Sequence, residues 1–247
     1  MGVKISRIEY YLPESVLSNL DLVAQHPDWN AQKVEKKVGI RNRHIALPEE
    51  TSLDMAVRAA TKLFESIDPN TIDFVLFCTQ CPDHLLPTSA CIAQERLGLR
   101  NNIGALDFNL GCSGYIYGLA LAKSLIKSGI AGNVLLLTGE TYSKFIAETD
   151  VSNRSIFGDA ATATLISESD NDHIGEFVLG TDGKGAENLI VQNVGAKCSF
   201  SSPAGTKPEL YMNGPEIFNF TIETIPPLVE EVCKKNSIVV ADVDYVI

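Results

Sequence analysis

The sequence contains no uninterrupted apolar run approaching the roughly 20 residues a membrane-spanning helix needs, so no membrane span is expected. Its first residues, Met1-Gly2-Val3-Lys4-Ile5, lack the charged region, apolar stretch and small-residue cleavage site of an export signal. Positive charge is also in short supply: 20 Lys and Arg stand against 31 Asp and Glu, a formal charge of −11. Such a surface repels a phosphate backbone, which argues against nucleic acid as a partner. The six cysteines, Cys78, Cys81, Cys91, Cys112, Cys198 and Cys233, follow no tight framework. Without an export signal they are expected to be reduced thiols in a cytoplasmic protein. No Cys/His set has zinc spacing, so no metal is expected. No Gly-rich stretch, Gly180-Thr181-Asp182-Gly183-Lys184-Gly185 included, is spaced to cradle phosphates, which argues against a nucleotide-driven enzyme.

What is present is the composition of an ordinary globular protein, 45% hydrophobic and 21% charged over 247 residues. That length suits one large domain or two closely packed halves. Alternation predicts a strand over residues 3–10. A helical pattern covers residues 20–38, with Asn19 as its cap, Pro27 as an interruption and Gly39 as its stop. Further helices are expected over 51–67, 89–97 and 115–127. Unbroken apolar runs at 74–79 and 134–138 read as buried strands, and 103–109 and 160–166 as two more. Later, 174–179 reads as the opening of a new strand series, 226–235 as a helix, and 243–247 as a strand. Strands alternating with helices imply an α/β fold with helices covering a mixed sheet.

The most informative segment is Asp107-Phe108-Asn109-Leu110-Gly111-Cys112-Ser113-Gly114-Tyr115. A strand ends, glycines permit a strained turn, and Cys112 falls where an apolar helix begins. Unpaired N–H groups and the positive end of the helix dipole favour a thiolate there. The arrangement is the cysteine counterpart of a nucleophile elbow, and a neighbouring N–H can help hold an oxyanion. The competing reading is a small cysteine packed into a crowded glycine turn. Cys78-x-x-Cys81 has redox spacing but lacks the following helix such a site requires. Cys91, Cys198 and Cys233 read as packing residues.

These residues resemble the beta-ketoacyl-acyl carrier protein synthase III family of thiolase-fold condensing enzymes. The match runs along the chain: Tyr11-Leu12-Pro13-Glu14, Gly39-Ile40-Arg41-Asn42-Arg43-His44, Gly111-Cys112-Ser113-Gly114, Phe157-Gly158-Asp159-Ala160-Ala161, Leu179-Gly180-Thr181-Asp182-Gly183 and Met212-Asn213-Gly214-Pro215-Glu216-Ile217-Phe218. The resemblance implies a thiolase-like fold of two similar halves, mixed sheets layered between helices. Residues 1–170 would form the half that carries the nucleophile, and 171–247 the start of a second, incomplete half. It also implies an acyltransferase of fatty-acid or related acyl-chain synthesis. An acyl group from coenzyme A or acyl carrier protein passes to Cys112. Malonyl-acyl carrier protein then loses carbon dioxide, and its enolate attacks the thioester to give a beta-ketoacyl product.

In the family a His and an Asn in the second half of the chain stabilise the enolate, and a strand like Asp244-Tyr245-Val246-Ile247 is followed almost at once by His-Gln-Ala-Asn, which opens with that His. None of His26, His44, His84 or His173 occupies a matching position, so the chain is expected to be part of a longer enzyme. Alternatives are a specialised-metabolite condensing enzyme and a non-catalytic thiolase-fold scaffold. The resemblance further implies a homodimer, with Leu86 before Pro87 projecting into the partner's acyl pocket and helping set chain length. Hydroxymethylglutaryl-CoA synthases share the fold but place a Glu base where this chain has Gln80, which cannot take up a proton. No resident cofactor is expected, since coenzyme A or carrier protein enters as substrate. Lys36, Lys37, Arg41 and Arg43 form a basic cluster for the nucleotide phosphates or an acidic carrier, with Arg154 a further candidate; the plain alternative is a solvated helix face.

Overall fold

The computed structural model describes residues 2–24, 26, 28–197 and 206–246. These form two compact units, Met1–Ile174 and Gly175–Ile247, each treated by itself.

In the first unit the strands are β1 (Gly2–Tyr11), β2 (Ser15–Ser18), β3 (Asn42–Ile45), β4 (Phe74–Cys78), β5 (Gly104–Phe108), β6 (Asn133–Glu140) and β7 (Ala160–Ser169). Its helices are α1 (Asn19–Ala24), α2 (Ala31–Val38), α3 (Ser52–Phe64), α4 (Ser89–Arg96), α5 (Gly114–Lys127) and the short α6 (Val151–Arg154). Five strands make one mixed sheet in the order β1-β7-β6-β4-β5. Strand β4 runs parallel to both neighbours, while β7 is antiparallel to β6 and β1. The apolar run on β4 follows from this central place, because both of its faces are covered.

Strand alternation sorts the core into two layers. Val75, Phe77, Leu135, Leu137, Ala161 and Ala163 pack with Leu53, Ala56, Ala59, Ala60 and Leu63 of α3. The alanine stripe on α3 lets the helix lie close to the sheet, and a reciprocal capping box between Thr51 and Asp54 fixes its start. On the opposite face lie Leu76 and Leu136. Helix α5 covers them, since a Cβ on Gly118 would run into the Leu136 side chain. The result is helix, mixed sheet, helix, as the alternation of elements predicts.

Several boundaries differ from the sequence-based expectation. The helical stretch at 20–38 is two helices, and α2 begins at its own cap, where Asn30 Oδ1 accepts from Lys33 N. The predicted interruption at Pro27 lies outside the described residues. Gly39 ends α2 in the left-handed region, φ 75°, as a stop residue should. Residues 15–18 and 42–45 pair as β2–β3, a contact that local pattern does not reveal.

The second unit contains β8 (Leu189–Gln192), β9 (Glu209–Met212) and α7 (Gly214–Lys235). Strands β8 and β9 pair antiparallel. Helix α7 starts well before the expected residue 226: Pro215 occupies its first turn, where a missing N–H costs nothing. The strand expected at 174–179 is absent. Side chains satisfy this backbone instead: Glu176 N donates to Asn236 Oδ1 at 2.7 Å, and Asn236 Nδ2 donates back to Glu176 O at 3.0 Å. The strand expected at 243–247 does not form among the described residues either. Tyr245 and Val246 are more than four-fifths exposed, and a strand without a neighbour leaves its ladder groups unpaired. Among the described residues no helix is long and apolar enough to cross a membrane.

Candidate active site

Cys112 is exposed, two residues ahead of α5, in a turn closed by Gly114 N donating to Gly111 O at 2.8 Å. The first N–H groups of a helix have no intrahelical partner and carry its positive pole, so Cys112 stands next in sequence to the electropositive end of α5. The strain expected of this turn is not there. Neither Gly111, Cys112 nor Gly114 has a left-handed backbone. The glycines supply room instead. A Cβ on Gly114 would fall on Cys78 Sγ at the end of β4, and one on Gly111 would come within 2.7 Å of Gln80 Oε1 and 3.3 Å of Tyr142 OH.

The neighbouring strand ends supply the walls. Asp107 on β5 accepts from Ser89 N and Ala90 N, both at 2.6 Å, and so holds the start of α4. Gln80, just past β4, donates through Nε2 to Asn109 Oδ1 at 3.0 Å and accepts from Tyr142 OH. Its backbone N–H donates to Glu140 Oε1 at 2.8 Å. The Tyr142 ring packs obliquely on Phe157, centroids 5.4 Å apart. Asp159 is buried and accepts from Ala46 N at 2.8 Å and Ser143 N at 3.0 Å, a fixing role in keeping with the structural reading of the Phe157-Gly158-Asp159 turn.

The electrostatics separate the cysteines. Burial pushes the Cys78 thiol up to about 11, with the nearby Glu140 carboxylate adding to the rise. Burial, then the same Glu140 charge, raises Cys81 as well. Both stay protonated at neutral pH, which leaves them inert as nucleophiles. Cys91 is exposed and accepts from the Thr88 hydroxyl, Cys233 is buried, and Cys198 lies outside the described residues. Burial pushes the Glu140 carboxyl up to about 7, and its Oε2 has no hydrogen-bond partner among the described residues. Burial first, and Glu140 second, raises the Tyr142 phenol.

The remaining predicted residues are spread out. Leu86 stands 83% exposed in the loop between β4 and α4, beside the equally prominent Leu85. Arg41, with Gln32, Glu35, Lys36 and Gly39, lines an open depression at the end of α2, where it pairs with Glu35 at 2.6 Å. Lys37 is exposed on the last turn of α2. Arg154 on α6 donates to Glu148 O at 2.8 Å. Arg43 must be corrected as a ligand-binding candidate. It is 3% exposed, and its guanidinium is spent inside the protein on Ser155 O, Asn19 Oδ1 and Ile40 O. It ties β3 to α1 and to the end of α6 and has no reach to a phosphate.

Glu140, Tyr142 and Asn109 escape a local reading of the sequence. Only the acid closing the apolar run of β6 marks Glu140 as unusual. The sheet order that brings β6 beside β4 is what places it behind Gln80.

Because its carboxyl titrates higher folded than unfolded, Glu140 binds an extra proton in the native state between about pH 4.5 and 7. Its stabilising contribution is therefore complete below that window and lost as pH rises through it. Glu140→Gln should flatten this decline, so that the variant gains on the wild type between pH 5 and pH 8 by at most about 3 kcal/mol. Denaturant unfolding at the two pH values checks this; parallel losses in both proteins would remove the buried-acid account.

Comparison with known proteins places these features in a wider set. The family model described as 3-oxoacyl-acyl-carrier-protein (ACP) synthase III matches residues 106–183, which include the Cys112 turn. The beta-ketoacyl-acyl-carrier-protein synthase III of Lactococcus lactis subsp. cremoris is 33% identical over 246 residues, covering 98% of this chain and 74% of that protein. The Neisseria meningitidis protein of the same name is 32% identical, with 99% and 75% covered. A crystal structure of a 3-oxoacyl-(acyl-carrier-protein) synthase III superposes with a TM-score of 0.94 at 43% identity, covering 99% of this chain and 77% of the other. The priming beta-ketosynthase of the R1128 polyketide pathway gives 0.90 at 28% identity, with 98% and 72% covered. The chain thus spans about three quarters of the length of these relatives and has their thiolase-like fold.

Proposed function

The chain belongs to the beta-ketoacyl-acyl-carrier-protein synthase III family, and from that we propose that Cys112 is the sulfur that carries the acyl group. The activity is that of an acyltransferase of fatty-acid synthesis, condensing an acyl thioester with malonyl-acyl carrier protein to a beta-ketoacyl product. In the first half-reaction the Cys112 thiolate attacks the thioester carbonyl of acyl-CoA, and the coenzyme A thiol leaves. In the second, the malonyl group loses carbon dioxide, the enolate carbon attacks the Cys112 thioester, and the thiolate is released as leaving group. Dividing the bond formation in this way is what a covalent intermediate achieves. No resident cofactor is needed, because the thioester itself carries the leaving group.

One observation carries the assignment. Cys112 presents an exposed sulfur at the positive end of α5, while Cys78 and Cys81, the nearest alternatives, are buried and held protonated. Among the described residues no histidine hydrogen-bonds Cys112, so the two half-reactions are best measured separately. Incubation with an acyl-CoA followed by mass spectrometry should place one acyl adduct on Cys112, and Cys112→Ala should abolish it. Carbon dioxide release from malonyl-acyl carrier protein is recorded in parallel. An adduct on another cysteine would refute the assignment, and no adduct at all would favour the non-catalytic scaffold.

Lys36 and Arg41, which line the depression at the end of α2, would meet the phosphates of coenzyme A or an acidic carrier protein, with Lys37 and Arg154 as further cations on an otherwise acidic chain. Two features support a homodimer. Strand β5 is an edge of the sheet with Leu106 exposed on it, and Leu85 and Leu86 are exposed apolar side chains in the loop before α4. A cytoplasmic location accords with the free thiols of the five described cysteines. If Leu86 lines the partner's acyl pocket, Leu86→Phe should shift preference toward shorter acyl donors by about tenfold in relative kcat/KM across a chain-length series. An unchanged series would remove that role.

A further inference from the structure

Gln80 is the side chain that joins the segments around Cys112. Its Nε2 donates to Asn109 Oδ1, three residues before the sulfur, and its Oε1 accepts from Tyr142 OH on the helical turn Tyr142–Phe145. Its backbone N–H binds Glu140 at the end of β6. The same Oε1 lies so close to Gly111 that no Cβ fits between them. Asn109 offers an acceptor and Tyr142 a donor, so the side chain between them must both donate and accept. A carboxamide does this without charge.

Charge matters because of what else faces this spot. Tyr142 feels Glu140, Cys81, Cys112 and Cys78, and Glu140 in turn feels the charge of Asp159. Each of these groups is neutral or becomes an anion on ionisation. A carboxylate beside Gly111 would add one more negative charge to the wall nearest the sulfur and oppose formation of a thiolate. We propose that Gln80 is the positioning residue for Cys112, its carboxamide tying the turn to Asn109 and Tyr142 while keeping the adjoining wall uncharged. This rests on Cys112 being the acylated sulfur.

Two variants of the full chain separate the parts of the proposal. Gln80→Glu keeps the shape and adds charge; Gln80→Ala removes the tie and adds none. Iodoacetamide alkylation of Cys112, followed by mass spectrometry across a pH series, should show the Gln80→Glu midpoint raised by about one unit, hence about tenfold slower alkylation near neutrality. The Gln80→Ala midpoint should match the wild type, while acyl transfer from acyl-CoA slows by about tenfold through lost alignment. Thermal unfolding of both variants identifies any general loss of fold, which would lower alkylation selectivity rather than move a midpoint. Identical midpoints for wild type and Gln80→Glu, or undiminished acyl transfer in Gln80→Ala, would overturn the role of Gln80. A wild-type Cys112 that iodoacetamide ignores at every pH would instead overturn the acyl-carrying sulfur, and this inference with it.

Discussion

The site depends on how closely the first turn of α5 approaches the end of β4. Gly114 sits against Cys78 with no space for a side chain, and Gly118, one turn on, does the same against Leu136. Small residues at successive turns on one helix face let the helix axis settle onto the central strand. The helix pole and the exposed Cys112 are thereby set over the carboxyl ends of β4 and β5, where open α/β sheets hold their reactive groups. Larger residues would lift the helix and carry the sulfur away from Gln80, Asn109 and Tyr142.

A second constraint is electrostatic. The ends of β4 and β6 gather Cys78, Cys81, Glu140 and Tyr142, all groups that ionise to anions. Burial keeps the two thiols and the phenol protonated, and it holds the carboxyl near the point of ionisation. The protonated thiols and phenol add no negative charge to oppose the positive end of the helix. Gln80 contributes by bridging donor and acceptor with no charge of its own. Cys112 is exposed while Cys78 and Cys81 are buried, a division that follows from their depth along the strand ends.

How much of this is legible in the sequence varies with range. The buried strands β4 and β6, the amphipathic helix α3, the α5 helix and the Cys112 turn all show in local periodicity, because each is dictated by which residues must leave water. The β2–β3 pairing and the early start of α7 do not show, since they depend on distant partners or on a proline used at a helix start. Residues 174–179 and 243–246 have strand-like composition but no neighbouring strand, and composition cannot supply one. Arg43 illustrates the same limit at a single residue. Its place in a basic run points to a ligand, yet its guanidinium spans three segments of the interior that only the fold brings together. Glu140 and Tyr142 meet Gln80 across the sheet for the same reason.

The most direct test of the central claim is the rate of Cys112 acylation in Gly114→Ala and in the double variant Gly114→Ala/Cys78→Ala. A methyl at residue 114 collides with the Cys78 sulfur, and removing that sulfur leaves 3.3 Å to the next atom, Leu110 Cβ. The single variant should lose acylation rate by at least about tenfold, as misplacement of a reacting atom does, and the double variant should recover most of it. Equal acylation in the wild type and the single variant, or no recovery in the double, would contradict the claim that close helix-to-strand approach sets the nucleophile in place.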